Sequence, residues 1–227
     1  EEADAQRILY QLVDAVEHCH AHHVCHRDLK LENFMLARGG RALKLIDFGL
    51  SVVWKPGQAL FKSYGTPCYM APEIIKGASY QGAHVDIWSL GVALATMLTG
   101  SLPFQGAGDT ELKKRILQGK FPVPEHVSAE ARDLLKQMLA LTPEQRIGVE
   151  QIKQHPWLKP YAQSHSSSSP AKAHQAGGWV HDVISIAATQ PKSQQQIIDS
   201  FRSAGCIPTP IDFYPDKFQK EISVKLI

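Results

Sequence analysis

Between His26 and Gly49 the chain must fold back on itself. The run His26-Arg27-Asp28-Leu29-Lys30-Leu31-Glu32-Asn33 is followed by Phe34 to Ala37 and Ala42 to Ile46, which flank Arg38-Gly39-Gly40, and then by Asp47-Phe48-Gly49. Two short apolar-rich runs around a glycine-containing turn predict an antiparallel hairpin. Asn33 then stands at its entrance and Asp47 at its exit, so side chains 14 positions apart in sequence are brought together. Taken singly, each carboxylate is more commonly a surface or capping group. Their joint occurrence, with Ala71-Pro72-Glu73 further along the chain, weighs against that reading.

These three signatures, in this order, resemble the catalytic motifs of eukaryotic protein kinases over about residues 1 to 160. The resemblance implies transfer of a phosphoryl group from ATP to a serine or threonine hydroxyl. That chemistry asks for an oriented hydroxyl, cations on the phosphates and groups that hold those cations. Asp28 would accept the hydroxyl's hydrogen bond, while Asn33 and Asp47 would hold Mg2+ through hard oxygens. Lys30 would place an ammonium beside the transferring group, and Met35 and Ile46 would form the floor under the adenine. Thr66 in Gly65-Thr66-Pro67, together with Lys30, matches the serine/threonine branch, in which the threonine hydroxyl ties the lysine to the catalytic aspartate.

Other positions carry implied structural and regulatory roles. Asp86, in Asp86-Ile87-Trp88-Ser89-Leu90-Gly91, would hydrogen-bond the backbone of the catalytic loop, and Glu73 would form a buried ion pair with Arg146. Arg27 would pair with a phosphate on the activation segment, Leu50 to Met70, with Ser63 as acceptor. Lys62 occupies the position where related energy-sensing kinases carry that phosphate, so the match is displaced by one. Glu32 would meet arginine upstream of the acceptor, and Thr96 stands where strongly basophilic kinases have a second glutamate. A mild preference for basic protein substrates follows. The wording of the motifs is similar to the calcium/calmodulin-dependent and energy-sensing kinase group. Small-molecule phosphotransferases share the two aspartates and the asparagine, but not Lys30, Thr66 or Ala71-Pro72-Glu73.

The expected fold is α+β and predominantly α: a protein-kinase C-terminal lobe with a short hairpin beside the catalytic loop. The 25 residues before His26 contain no glycine-rich loop and no Val-Ala-Ile-Lys strand, so the N-terminal lobe is expected to be absent and the chain alone to be a poor kinase. The alternative is a non-catalytic module that binds partners through a kinase-like surface.

Periodicity organises the rest. Ile8, Leu9, Leu12, Val13 and Val16 predict a helix over 3–22, Val85 to Leu98 a buried helix too short to span a bilayer, Asp109 a cap for a helix to Gln118, and Ser128 a cap for a helix to Leu139. Thr142-Pro143-Glu144-Gln145 has capping-box form at a short helix containing Arg146. Residues 161–178 have linker composition, and 179–227 form a tail with a helix near Ile197 to Ala204 and an alternating strand at Ile222 to Leu226. The tail is expected to dock or regulate; it has too little basic charge for a calmodulin target, and no calcium-loop pattern is present. With a net charge of +2 and scattered Lys and Arg, neither nucleic acid nor membrane is an expected partner. Four cysteines without close pairing and no opening signal peptide suit a cytoplasmic or nuclear setting. His18, Cys19, His20, His22, His23, Cys25 and His26 raise zinc as a minor alternative to a solvated helix end.

Overall fold

The computed structural model describes residues 2–36, 43–55 and 57–161. Helix α1 (Glu2–Ala21) buries Leu9, Leu12, Val13, Val16 and Cys19 along one stripe, the i, i+3, i+4, i+7 arrangement that its sequence predicts. Helix α3 (Gly82–Thr99) is apolar on almost every side, and residues Val85 to Thr96 are buried. It is the central post of the fold. Helix α1 packs on it from one side and α5 (Ala129–Met138) from another, while α6 (Val149–Gln154) lies against α1. Trp88 on α3 stacks on Phe104 at 5.6 Å, and Phe121 meets Phe104 edge-on. Burying such rings contributes a large share of the core's apolar burial.

Two small antiparallel sheets flank the helices. β2 (Phe34–Leu36) pairs with β3 (Leu43–Leu45) in the register Phe34↔Leu45, Met35↔Lys44, which is the expected hairpin; its turn lies outside the described residues. β1 (Val24–Cys25) pairs with β4 (Val52–Val53), joining the chain before the catalytic loop to the start of the activation segment. A close approach makes this junction possible: a Cβ on Gly82 would sit 2.7 Å from both Cys25 and Trp54 side-chain atoms. Helix α2 (Pro72–Ile75) is a single turn, and α4 (Asp109–Gln118) is a more exposed helix.

The helix ends show where local patterns mislead. Ser128 caps α5 as expected, accepting from the Ala131 N–H at 3.2 Å. The Glu2 carboxylate accepts from the Ser128 N–H and hydroxyl and from the Trp157 indole, so α1 is fastened to the far end of the described chain. Asp109, by contrast, is the first residue of α4; extended Gly108 is the cap, and the Asp109 charge acts on the helix dipole from inside. Thr142 makes no side-chain cap. Pro143–Gln145 is one 3₁₀ turn and Arg146 is the extended residue after it, because its guanidinium is drawn away to partners elsewhere. Gln151 supplies the side-chain acceptor for the next helix, at the Gly148 N–H. No helix among the described residues is long and apolar enough to cross a membrane. The predicted linker beyond 161, the tail helix and the tail strand lie outside the described residues.

Candidate active site

The hairpin and α3 together position the catalytic loop. Ile46 N–H donates to Asn33 O at 3.0 Å, closing the hairpin's open end and setting Asn33 beside the segment that leads to Asp47. Asp86, fully buried early in the second turn of α3, accepts from the backbone N–H groups of His26 and Arg27, both at 2.9 Å, and from His20 Nε2 at 2.8 Å. Burial opposes a charge there, but the His20 bond and the neighbouring histidines and backbone donors outweigh it and hold the carboxyl below the usual range. An ionised, fully satisfied carboxylate thus anchors a loop whose Arg27 is in the left-handed region, at φ 66°.

Asp28, Lys30 and Thr66 form one bonded cluster. Lys30 Nζ donates to Asp28 Oδ2 at 2.8 Å and to Thr66 Oγ1 at 3.0 Å, while the Thr66 hydroxyl and N–H donate to Asp28 Oδ1 at 2.8 and 3.0 Å. Desolvation raises the Asp28 carboxyl, yet the bonds from Lys30 and Thr66 and the Lys30 charge bring it below its ordinary value. Lys30 moves up: burial opposes its charge, and Asp28, Glu32 and Asp47 more than compensate. The two groups stabilise each other's ionised forms.

The donor set fits a hard cation. Asn33 Nδ2 is committed to the Asp28 carbonyl at 2.8 Å, which turns the amide so that its oxygen is the group left for a ligand. Asp47 sits at φ 62°, a left-handed conformation uncommon outside glycine, and its Oδ1 accepts from the Gly49 N–H at 3.2 Å. Such backbone is held by its surroundings, and the Gly49 N–H fixes one carboxylate oxygen. One amide oxygen and one carboxylate are what a Mg2+ ion takes when phosphates and waters complete its shell. Met35 and Ile46 are half-buried beside this point.

The remaining expected residues are placed as follows. The Arg27 guanidinium donates to Leu50 O at 2.6 Å and lies 4.7 Å from the Tyr64 ring centroid. Ser63 is exposed, with its hydroxyl 3.4 Å from Ile74 O, so neither it nor Arg27 awaits the other in this arrangement. Glu32 is exposed. Thr96 is buried and donates to Val92 O in its own helix at 2.8 Å. Glu73 and Arg146 form a buried two-pronged pair, at 2.8 and 3.1 Å, and Arg146 also donates to His84 O and Ala140 O.

The histidine cluster has ordinary employment. His18 and His22 rings pack at 4.3 Å, and His20 serves Asp86. Among the described residues no group of three or more His, Cys, Asp or Glu is arranged to hold a metal ion. The part played by His20 was hidden in sequence because its partner lies 66 positions away.

His26 gives the site a pH dependence. Its Nε2–H donates to Ile46 O at 3.0 Å, and Nδ1 accepts from the Asp28 N–H at 3.3 Å, a pairing that only the neutral ring can make. Burial, the leading cause, pushes its pKa below the ordinary 6.5 despite the nearby carboxylates. The unfolded chain takes up this proton first, so the contribution is present above pH 6.5 and is lost as pH falls towards the folded value. Melting temperature should decline between pH 7 and 5.5, with a flatter decline in His26→Gln; equal slopes would show that His26 is not the group responsible.

The protein kinase domain family matches residues 1–158 of this chain. The chain is 38% identical over 208 residues to the serine/threonine-protein kinase SIK2 of Gallus gallus, covering 89% of this chain and 26% of that protein. It is 38% identical over 221 residues to the protein kinase domain-containing protein ppk9 of Schizosaccharomyces pombe, covering 93% and 40%. It is 44% identical over 155 residues to the human SNF-related serine/threonine-protein kinase, covering 68% and 20%. The chain therefore spans well under half the length of these relatives. With the bonded cluster at Asp28, the anchored loop and the hairpin in place, this match settles the family: the chain belongs to the protein kinases.

Proposed function

We propose that the protein is an ATP-dependent serine/threonine kinase, to which the described residues contribute the lower lobe, with the acceptor and metal sites. The observation that carries this reading is the Lys30 bridge between Asp28 and Thr66. It couples the group facing the acceptor hydroxyl to the segment against which a protein substrate would lie. Asp28 holds the hydroxyl and takes its proton; Lys30 stabilises charge on the transferring group; Asn33 and Asp47 hold the cation. Mg2+, when bound, supplies charge neutralisation across the phosphates. Met35 and Ile46 offer apolar surface to the adenine. The serine/threonine kinases among the relatives support protein hydroxyls as acceptors, and the SNF-related and SIK names support the energy-sensing branch of the group.

Glu32 gives the reading a substrate preference. Exposed, it offers a carboxylate to an arginine upstream of the acceptor, whereas Thr96 is turned into its own helix and offers nothing. The test is transfer by the full-length protein to matched serine peptides with and without upstream arginine, beside a tyrosine peptide and a small-molecule polyol. Transfer to serine, with KM for the arginine peptide raised about 2- to 5-fold by Glu32→Ala, fits an exposed ion pair. Transfer confined to the polyol, or none to any acceptor, would overturn the proposal in favour of a small-molecule enzyme or a binding module.

A further inference from the structure

Residues 60–69 are fastened to the rest of the fold at several points along their length. Leu60 and Tyr80 exchange two backbone hydrogen bonds, each 2.9 Å, and the Tyr80 hydroxyl donates to Lys62 O at 2.7 Å. Ser63 reaches Ile74 O, Thr66 bonds Asp28, and the Ser89 hydroxyl donates to Tyr69 O at 3.0 Å. The Tyr80 ring is buried, at 5% exposure, and fixes its hydroxyl at a part-buried bond to the carbonyl of exposed Lys62. Tyr80 and Asp28 line the same shallow surface cleft, partly open to solvent, whose lining also includes Arg27, Tyr64 and Thr66. The Arg27 Nε–H donates to the Leu50 carbonyl, its guanidinium lies over the Tyr64 ring face, and its charge bears on the Tyr80 phenol, so these fastenings form with no phosphate present.

We propose that Tyr80 is a positioning residue of the acceptor site: it holds residues 60–66 in place so that Thr66 rests on Asp28, and it does so with no phosphate on the segment. This rests on the reading of Asp28 as the group that faces the acceptor hydroxyl. Tyr80 acts through the chain between Lys62 and Thr66, which it fastens at the Lys62 carbonyl. Burial pushes its phenol up, so it stays a donor at physiological pH.

The experiment compares the parent protein and Tyr80→Phe, each with and without phosphatase treatment. It reads amide hydrogen exchange over residues 60–70 and over α5, the melting temperature, and the rate of iodoacetamide labelling at Cys68, located by mass spectrometry. Cys68 is partly exposed two residues beyond Thr66, while Cys19 and Cys25 are buried internal controls. Exchange over 60–66 in the parent should be unaffected by phosphatase. In Tyr80→Phe it should rise about 2- to 10-fold, as expected for the loss of one hydrogen bond. Cys68 labelling should accelerate with it, while α5 exchange stays unchanged. Release of 60–66 by phosphatase alone would show that a phosphate does the holding and would overturn the proposal. So would no change in Tyr80→Phe, or an equal rise in α5, which would mark a general loss of stability. These arms need neither nucleotide nor turnover, so they are separate from whether the protein transfers phosphate. In the full-length protein Tyr80→Phe should also raise KM for a serine peptide while KM for ATP stays at the parental value, a split that a general loss of folded protein would not give and whose absence would overturn the positioning role.

Discussion

Asp28→Asn should lower kcat for phosphoryl transfer by about 10²- to 10⁴-fold in the full-length protein, the range associated with a positioned acid–base group. The amide keeps the shape and can still accept from Thr66, but it carries no charge for Lys30 and cannot take a proton. KM for ATP should change little, because in the proposed mechanism Asp28 would face the acceptor while Asn33 and Asp47 would hold the cation. Asp47→Asn should differ in kind: it weakens the cation site, so its loss is partly relieved by raising Mg2+. Near-parental kcat in Asp28→Asn, measured with a serine peptide, would remove Asp28 from the mechanism. The same variant should keep its fold, since Asp28 lies at the edge of the core and α3 holds the loop through backbone bonds to Asp86.

The second large effect is on stability. Arg146 has 0% side-chain exposure and Glu73 6%, so Arg146→Ala leaves a carboxylate in the interior without its partner. Breaking such a pair costs roughly 3 to 5 kcal/mol. At about 2 to 4 °C per kcal/mol for a domain of this size, melting should fall by on the order of 10 °C. Arg146→Lys should recover only part of this, because one ammonium cannot meet both carboxylate oxygens and the Ala140 and His84 carbonyls at once. Glu73→Gln combined with Arg146→Met should lie well above the sum of the single losses, since neither charge is then stranded. An unchanged melting curve in Arg146→Ala would show that the pair contributes nothing.

Local sequence was a good guide where structure repeats at short range. The α1 stripe from Leu9 to Val16, the apolar α3, the Ser128 cap and the hairpin around Asn33 and Asp47 all arise from neighbours within a few residues, and all form at or near the expected bounds. Local sequence failed where a cap had a competitor. Asp109 has the right chemistry for a cap, yet extended Gly108 takes the position one residue earlier. Thr142 has the capping-box spacing, yet it makes no side-chain cap, and Arg146 is extended with its guanidinium on Glu73, 73 residues away. The β1–β4 pair is two residues long on each side, too short for alternation to register.

The sequence by itself determined the chemistry of the site: two carboxylates, an amide and a lysine at a spacing that one hairpin and one turn can gather. Only the tertiary structure decided how those groups are held. Asp86 must cross 60 residues to reach the His26 N–H, His20 must find Asp86, and Tyr80 must meet Leu60 and Lys62. These partners carry no local pattern, because a single buried hydrogen bond between distant residues leaves no periodicity in the chain. It becomes favourable only after α1, α3 and the activation segment have packed and excluded the water that would otherwise satisfy each group.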